Sequence, residues 1–266
     1  GISRILMPAP VPADPEPEDL ALTVLFEDAH LIVVDKPAGM ATHPAPGSES
    51  GTLVNALLHH CDDLSGINGV LRPGIVHRLD RDTTGVLLLG KGPEAAKRLS
   101  GAFARRQAKK TYWALVSGTP KPVSGRIELA LKKSGINDYE IMRPADAKEH
   151  GAETAETAYA TVSRAGQRVA WLALRPFTGR THQLRAHMKA IGHPILGDPK
   201  YGDETSAALS GSLELQLHAR RIELDHPGGG KLIVEAPLSP EMKAGFENFG
   251  FVEDESDFDP FAGMRR

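Results

Sequence analysis

The residues best suited to chemistry lie in segment 76–85, VHRLDRDTTG, where Asp80 stands between Arg78 and Arg81. Side chains of residues 82–84 can bond nearby backbone amides and Gly85 can take a positive φ, which predicts a tight bend directly after Asp80. The apolar run 86–89, VLLL, predicts a buried strand that anchors the loop from one side. A loop anchored in this way can present a carboxylate for catalysis, although an isolated aspartate among arginines more often forms a surface ion pair.

This segment resembles the HRLD signature of the RluA-type pseudouridine synthases, and Asp80 occupies the position of that family's catalytic aspartate. The resemblance runs in family order from about Leu20 to Pro237. It is carried further by residues 35–39 (DKPAG) with His43-Pro44, by 110–112 (KTY) with Ala114 and Val116, by 178–185 (TGRTHQLR), by 192–195 (GHPI) with Gly197-Asp198 and Tyr201-Gly202, and by 217–219 (LHA) with His226-Pro227. Segments 35–39, 76–85 and 178–185 are called the first, second and third motifs. Several motifs in the same order are much more specific than one.

The resemblance implies an isomerisation in which the uridine N1–C1′ bond breaks and the base rejoins the sugar through C5. Such a reaction needs no redox step and no group donor, so we expect no cofactor and no metal. The absence of a Gly-x-Gly-x-x-Gly or P-loop pattern agrees with this expectation. Asp80 would act ionised, either by covalent attack or by removing a sugar proton. The sequence leaves both routes open.

Three residues receive catalytic roles from the resemblance. Asp80 is the expected catalytic carboxylate, and Arg180 is the expected cation that keeps it ionised in a pocket that excludes water. Tyr112 is expected to stack on the target uracil, although a strand tyrosine packed on a sheet is the simpler structural interpretation.

The remaining candidate residues are predicted to bind RNA. Arg78 resembles the family arginine that fills the space left by a flipped-out nucleotide. His77 is predicted to arrange the loop and is more simply a structural histidine. The other candidates are the basic residues on a predicted helix and one arginine of the third motif: Arg105, Arg106, Lys109, Lys110 and Arg185.

The cluster 59–63, HHCDD, contains metal-ligand residue types, but consecutive ligands do not match the spacing of a structural zinc site. We interpret it as a helix end followed by a polar loop.

Composition limits the class of protein. The chain has 266 residues, a formal net charge of −3 and one cysteine, Cys61, which excludes an intrachain disulfide framework. No stretch has the length of an apolar membrane span, so we expect a soluble cytoplasmic protein. Acidic residues outnumber basic ones in segments 1–19 and 241–266, which leaves the middle of the chain net basic and suited to RNA.

The pattern of elements predicts an α+β fold. We expect a pseudouridine synthase catalytic fold, with a mixed, mainly antiparallel sheet, flanking helices and an active-site cleft. The predicted strands are 23–28, 31–35, 86–89, 111–116, 155–163, 169–174, 213–224 and 232–235. The predicted helices are 52–60, 94–110 and one from near Thr181, whose hydroxyl would cap it, to near Gly192.

Three regions are predicted along the chain. Residues 1–19 form a proline-rich linker or N-terminal extension, residues 20–240 form the catalytic domain, and residues 241–266 form an acidic C-terminal tail that is peripheral to it. Residues 2–10 resemble the end of an S4-like RNA-binding domain, which is consistent with a catalytic fragment of a longer protein.

The sequence therefore predicts a monomeric RNA pseudouridine synthase whose substrate is 23S rRNA. A tRNA substrate remains an alternative, since some relatives modify tRNA. A non-catalytic RNA-binding module that retains the fold is a second alternative. A glycoside hydrolase is a third, but that chemistry usually needs a second acidic residue, which these motifs do not supply.

Overall fold

The structure is a computed structural model that describes residues 15–45, 49–61, 74–135, 140–253 and 260–261. Its helices are α1 (Leu53–His60), α2 (Pro93–Ala104), α3 (Gln183–Ala190), α4 (Glu204–Ser210) and α5 (Pro240–Phe249). Its strands are β1 (Thr23–Glu27), β2 (Leu31–Lys36), β3 (Thr84–Gly90), β4 (Lys109–Ser117), β5 (Ser124–Glu128), β6 (Leu131–Ser134), β7 (Ile141–Pro144), β8 (Ala152–Glu153), β9 (Glu156–Ala165), β10 (Val169–Pro176), β11 (Leu217–Asp225) and β12 (Lys231–Glu235).

A nine-stranded sheet forms the centre of the molecule, with the order β1-β2-β3-β11-β4-β10-β9-β5 and with β12 paired to β11. Strands β3 and β11 run parallel, whereas the other pairs of this sheet are antiparallel. Strands β7, β6 and β8 form a second, small sheet. The predicted α+β class and the mainly antiparallel sheet are confirmed.

Strand β3 anchors the Asp80 loop at the middle of the large sheet. All seven of its residues are buried, as its continuous apolar run predicts. Its second residue, Gly85, has a φ of +104°, and a Cβ atom there would overlap the backbone carbonyl of Ala219 on β11. Only glycine suits this position, because it allows both the backbone conformation and the close approach of the parallel strand.

Helix α1 lies where the sequence predicts it, and its N-terminus contacts the preceding chain. The Thr52 hydroxyl accepts a hydrogen bond from the Asn55 amide as an N-cap. Asn55 also donates to the carbonyl oxygen of Glu16, and the Glu18 amide donates to the carbonyl of Asn55. The predicted linker is therefore docked on α1 at residues 16 and 18, and residues 1–14 lie outside the described part of the chain.

Helix α2 is shorter than predicted. It begins at Pro93 but ends at Ala104, because Arg106 adopts a left-handed φ of 57° and the chain then enters β4 at Lys109. The basic residues assigned to one helix therefore lie on three consecutive elements: a helix end, a turn and a strand.

The prediction of a peripheral C-terminal tail is wrong for residues 241–249. They belong to α5, and Met242 and Phe246 are buried against Trp113 and Trp171 in the core on one face of the sheet. Pro240 occupies the first turn and the Ser239 hydroxyl accepts from the Met242 amide. The apolar residues four positions apart outweigh the acidic composition.

Four strands and two helices were not predicted: β5 to β8, α4 and α5. Among the described residues, no helix combines the length and the apolar character needed to cross a bilayer.

Candidate active site

A buried lysine shapes the loop that carries Asp80. Lys36, at the end of β2, is fully buried, and its Nζ donates to the carbonyl oxygens of Pro37, Met40 and Arg81 at 2.8, 2.9 and 2.8 Å. Burial lowers the pKa of Lys36 to about 8, against an opposing effect of nearby carboxylates such as Asp82 and Asp80. The first motif therefore holds the second in place through one ammonium group.

Further bonds fix the same loop on both sides of Asp80. The Thr42 hydroxyl donates to the Leu79 carbonyl at 3.0 Å, and Arg81 Nε donates to the Gly39 carbonyl at 2.9 Å. The Thr83 amide donates to the Asp80 carbonyl at 3.1 Å, which closes the predicted bend. Asp80 thus lies on a short segment whose backbone is bonded before, at and after the residue.

The Asp80 carboxylate faces two nitrogen atoms from α3 and the residue before it. Oδ2 lies 3.7 Å from Arg185 Nη1 and 3.9 Å from His182 Nε2, and 23% of the side chain is exposed. Within the described ranges, no hydrogen bond is made to this carboxylate. A cation therefore stabilises its charge without occupying its oxygens.

Arg185 is held in this position by Asp198. Its Nε and Nη2 each donate to the Asp198 carboxylate at 2.7 Å in a bidentate pair, and both side chains are almost completely buried. Burial would lower the pKa of Arg185, but the hydrogen bonds and charge of Asp198 outweigh it and raise that pKa. Asp80 is therefore faced by a permanent cation.

His182 precedes α3 in a left-handed conformation, with a φ of 49°. Its Nδ1 lies 3.0 Å from the Tyr201 hydroxyl, which also accepts a hydrogen bond from the Met142 amide. The hydroxyl proton of Tyr201 is available to donate to Nδ1, and in that arrangement a neutral His182 carries its proton on Nε2, the atom facing Asp80. Burial lowers the pKa of His182, although Asp80 acts in the opposite direction.

Tyr112 lies on β4 between Leu174 of β10 and Ala219 of β11, and it is buried. Burial raises the pKa of its phenol, and the negative charge of Asp80 raises it further, so the hydroxyl stays protonated at neutral pH. A pocket of about 80 Å³ is lined by Tyr112, Asp80, Leu184, Arg185 and Leu217, among others. The structure therefore brings the predicted tyrosine and carboxylate to one pocket.

The predicted pairing of Arg180 with Asp80 is wrong in this structure. Arg180 Nε donates to the Thr154 carbonyl at 3.1 Å and its Nη1 donates to Glu153 at 3.2 Å. Among the described residues, the cation nearest the Asp80 carboxylate is Arg185, which is predicted from the sequence to bind RNA. Arg180 lines the same pocket but points its guanidinium to β8 and the residue after it.

Gln183 explains the direction of Arg180. This buried side chain accepts from the Thr178 hydroxyl and the Arg180 amide, and it donates to the Glu156 carbonyl and the Thr157 hydroxyl. The loop before α3 is therefore fixed to β9. Thr181 was expected to cap α3, but its hydroxyl accepts a hydrogen bond from Arg78 Nη2 at 2.6 Å.

Arg78 is exposed at the entrance to the site, and its bond to Thr181 joins the Asp80 loop to the loop before α3. His77 instead serves the structure. Its Nε2 accepts from the Leu88 amide at 3.0 Å and its ring stacks on Phe103 at 4.6 Å. Burial lowers the pKa of His77 to about 3, so it carries no charge for a phosphate at neutral pH.

A basic cleft of about 850 Å³ adjoins the small pocket. Of the described residues that line it, one carries a carboxylate, Glu156, and eight are cationic: Arg78, Arg105, Arg106, Lys109, Lys110, Arg126, Arg175 and Arg180. Burial lowers the pKa of Lys110, whose ammonium lies 5.8 Å from the centre of the Phe103 ring. The four predicted basic residues of segment 105–110 therefore share one cleft, although they do not share one helix.

Sequence reasoning gave no role to His182, Asp198 or Tyr201. Each belongs to a quoted motif, and His182 and Arg185 are three positions apart, which is the spacing of one helix face. That spacing was the available signal for Arg185 as the partner of Asp80.

One group of residues away from the cleft has metal-ligand types. Glu27, His60 and Cys61 place their ligand atoms within 4.8 Å of one another. However, the Lys91 ammonium already lies 3.0 Å from Glu27 Oε1, and hydrogen bonds from His60 and Lys91 lower the pKa of Glu27 to about 2. This group is therefore an ion-pair network at the end of α1. The predicted helix end agrees with the last residue of α1, His60. Asp62 and Asp63 lie outside the described residues.

Comparison with known proteins assigns the class. Residues 30–190 match the RNA pseudouridylate synthase family. The chain belongs to this family. It is therefore an isomerase that acts on RNA and converts uridine to pseudouridine.

Individual relatives support the assignment over almost the whole chain. A ribosomal large subunit pseudouridine synthase D of Zymomonas mobilis is 42% identical over 248 residues, which cover 91% of this chain and 77% of that protein. An uncharacterized RNA pseudouridine synthase of Bacillus subtilis is 39% identical over 245 residues, covering 92% and 78%. The solved structure of human RNA pseudouridylate synthase domain containing 4 superposes with a TM-score of 0.69 at 25% identity, covering 86% of this chain and 93% of that one.

Proposed function

We propose that this enzyme modifies uridines in large-subunit ribosomal RNA and that Asp80 is its catalytic carboxylate. The observation that carries the catalytic part is the Asp80 carboxylate itself, which is partly exposed, faces Arg185 at 3.7 Å and receives no hydrogen bond from the described residues. The substrate is suggested by relatives named for the large ribosomal subunit, including proteins of Zymomonas mobilis and Nitrosomonas europaea.

In the proposed mechanism the ionised Asp80 acts on the ribose of the target nucleotide. Covalent attack at C1′ or removal of a sugar proton each leads to cleavage of the N1–C1′ bond, with the bonding electrons leaving on the uracil. The base then turns and C5 bonds to C1′. In the covalent route this displaces the Asp80 carboxylate from C1′, and in the other route Asp80 returns the proton to the sugar. C5 then loses its proton and N1 gains one. Atoms and electrons balance without a cofactor.

The surrounding residues have distinct roles in this proposal. Arg185 stabilises the Asp80 charge, and the neutral phenol of Tyr112 contacts the uracil within the small pocket. Arg78 leaves Thr181 and fills the space of the extruded nucleotide, which offsets part of the lost stacking. The basic cleft binds the RNA backbone, and its cations make that binding dependent on salt.

We also propose that the enzyme acts as a monomer. Light scattering at working concentration tests this expectation. A ribosomal RNA substrate is also consistent with the predicted cytoplasmic location.

The substrate is tested with unmodified transcripts of 23S rRNA, 16S rRNA and a tRNA pool, each labelled with tritium at uridine C5. The proposal predicts tritium release from 23S rRNA and little from the other two. Release from tRNA alone would overturn the substrate assignment but keep the catalytic one. Equal release from all three would show that the chain lacks the predicted selectivity.

A further inference from the structure

The three nitrogens of the Arg185 guanidinium are not shared equally between Asp198 and Asp80. Asp198 takes two of the guanidinium nitrogens, Nε and Nη2, at 2.7 Å each, and leaves Nη1 to face Asp80 at 3.7 Å. Arg185 therefore lies between two carboxylates but forms hydrogen bonds to only one of them. A planar guanidinium has the donors to bond both, so its position must be set by its surroundings.

The surroundings of Asp198 are rigid. Its Oδ1 also accepts from the backbone amides of Lys200 and Tyr201, at 2.9 and 3.0 Å. The Tyr201 ring lies beneath the guanidinium, 5.1 Å from its central carbon, and the Tyr201 hydroxyl is bonded to Met142 and His182. Asp198 is thus a fixed point to which Arg185 is attached.

We propose that Asp198 is a positioning residue that holds Arg185 away from Asp80, at a distance where its charge stabilises the carboxylate while the carboxylate oxygens stay free to react. This inference rests on the proposed catalytic role of Asp80.

The physical reason is competition for one cation. A buried arginine and aspartate attract each other strongly. Apart from Asp198, the described carboxylate that lies within 4 Å of Arg185 is that of Asp80. A direct bidentate pair would bury the oxygen lone pairs that the reaction needs. Because the 3.7 Å distance is kept, Arg185 stabilises the charge of Asp80 without forming a hydrogen bond to it.

Several titratable groups besides Arg185 interact electrostatically with Asp80. They are Lys36 at the end of β2, Tyr112 on β4, His182 before α3, and Tyr201 in the loop after α3. Substitution of Asp198 leaves all of them in place, so a change in pH dependence reports the movement of Arg185 and the loss of the Asp198 charge.

The test uses Asp198→Asn in the full chain. The asparagine oxygen can keep the bonds to the Lys200 and Tyr201 amides, but its NH₂ group now opposes Arg185 Nε. We expect Arg185 to move onto Asp80. The single-turnover rate should fall at least about tenfold, since small displacements of reacting groups are costly. The acidic limb of the pH–rate profile should move down by about one unit, as for a carboxyl that gains a close cation.

Two further variants make the result decisive. Asp198→Glu keeps the charge pair but extends the side chain, so its acidic limb should lie between those of the native protein and Asp198→Asn. Asp203→Asn removes a nearby carboxylate that caps α4 and bonds to Lys189, and its limb should match the native one. RNA affinity, measured by filter binding, should stay within about threefold in all three.

An unchanged acidic limb in both Asp198 variants, with rates that merely follow the folded fraction measured by circular dichroism, would overturn the inference and leave Asp198 a structural residue. Native rates in Asp198→Asn would overturn it as well. Failure of the proposed function is distinguishable, because Asp80→Ala would then keep its activity.

Discussion

The Nη1 atom of Arg185 lies 3.7 Å from Oδ2 of Asp80, and this contact links the second and third sequence motifs across the candidate active site. The contact is long for a hydrogen bond and close for a charge interaction. It places the stabilising cation on α3, after the left-handed turn at His182, while Arg180 lies before that turn and bonds to Glu153.

The two arginines of the third motif should therefore respond differently to the same substitution. Arg185→Lys loses the planar fork that bonds Asp198, so we expect the single-turnover rate to fall by about 100-fold or more. Arg180→Lys should change the rate by less than about fivefold and act mainly on RNA affinity. Rapid-quench kinetics with saturating enzyme measures both. Equal rate losses would contradict the assignment of Arg185.

The sequence predicts those features of the site that depend on local patterns, and it does not predict those that depend on tertiary contacts. The strand after Asp80 and the bend were predictable, because an apolar run and turn residues act locally. The choice between Arg180 and Arg185 was not, because it depends on the backbone turn at His182 and on the bonds that Gln183 makes to β9. Both are tertiary features with no local pattern.

For the C-terminal helix α5, a local sequence signal was present but was overlooked. Pro240 and the apolar pair Met242 and Phe246 carry an ordinary helix signal, but acidic neighbours obscured it. The predicted length of α2 was wrong for a related reason. Its basic residues continue past Ala104 without a change in composition, whereas the backbone turns at Arg106.

Lys36 should make stability depend on pH in the alkaline range. Its pKa is lowered from 10.5 to about 8, so between these values the unfolded chain binds more protons than the folded one. The free energy of unfolding should therefore rise with pH across this window, by roughly 3 kcal/mol from this residue. Urea unfolding at pH 7.5 to 10.5 measures the rise.

Lys36→Met should be less stable overall, since three carbonyls lose a donor, and it should lack this part of the rise. Lys97→Met, on the exposed side of α2, is the control and should keep it. The same slope in Lys36→Met and the native protein would rule out Lys36 as its source.

Gly85 should be far less tolerant of alanine than Gly39. Both have positive φ, but the space at Gly39 is open, whereas a Cβ at Gly85 would overlap the Ala219 carbonyl. We expect Gly39→Ala to cost about 1 kcal/mol of unfolding free energy and Gly85→Ala about 3 kcal/mol or more. Denaturant titration compares the two, and similar costs would show that β3 and β11 are not held as closely as described.

The basic cleft should contribute to RNA binding through charge. Arg106→Gln and Lys109→Gln should each weaken binding to any RNA and reduce the slope of log affinity against log salt by about 0.7 for a single strand. His77→Gln should leave the slope unchanged, because its neutral imidazole contributes no charge. Lys243→Gln, on the exposed face of α5, is a second control. If the slope falls as much for Lys243→Gln as for the cleft variants, the slope depends on the overall charge of the protein and not on contacts at the cleft.

The most direct test of the central claim is tritium release from C5-labelled 23S rRNA by the native protein and by Asp80→Asn, at matched RNA occupancy confirmed by filter binding. This substitution keeps the size of the side chain and removes its charge. We predict stoichiometric release by the native protein and release at least about 10⁴-fold slower by the variant, since a covalent or basic role requires the ionised carboxylate. Release by Asp80→Asn at a rate near that of the native protein would show that the reaction does not depend on Asp80.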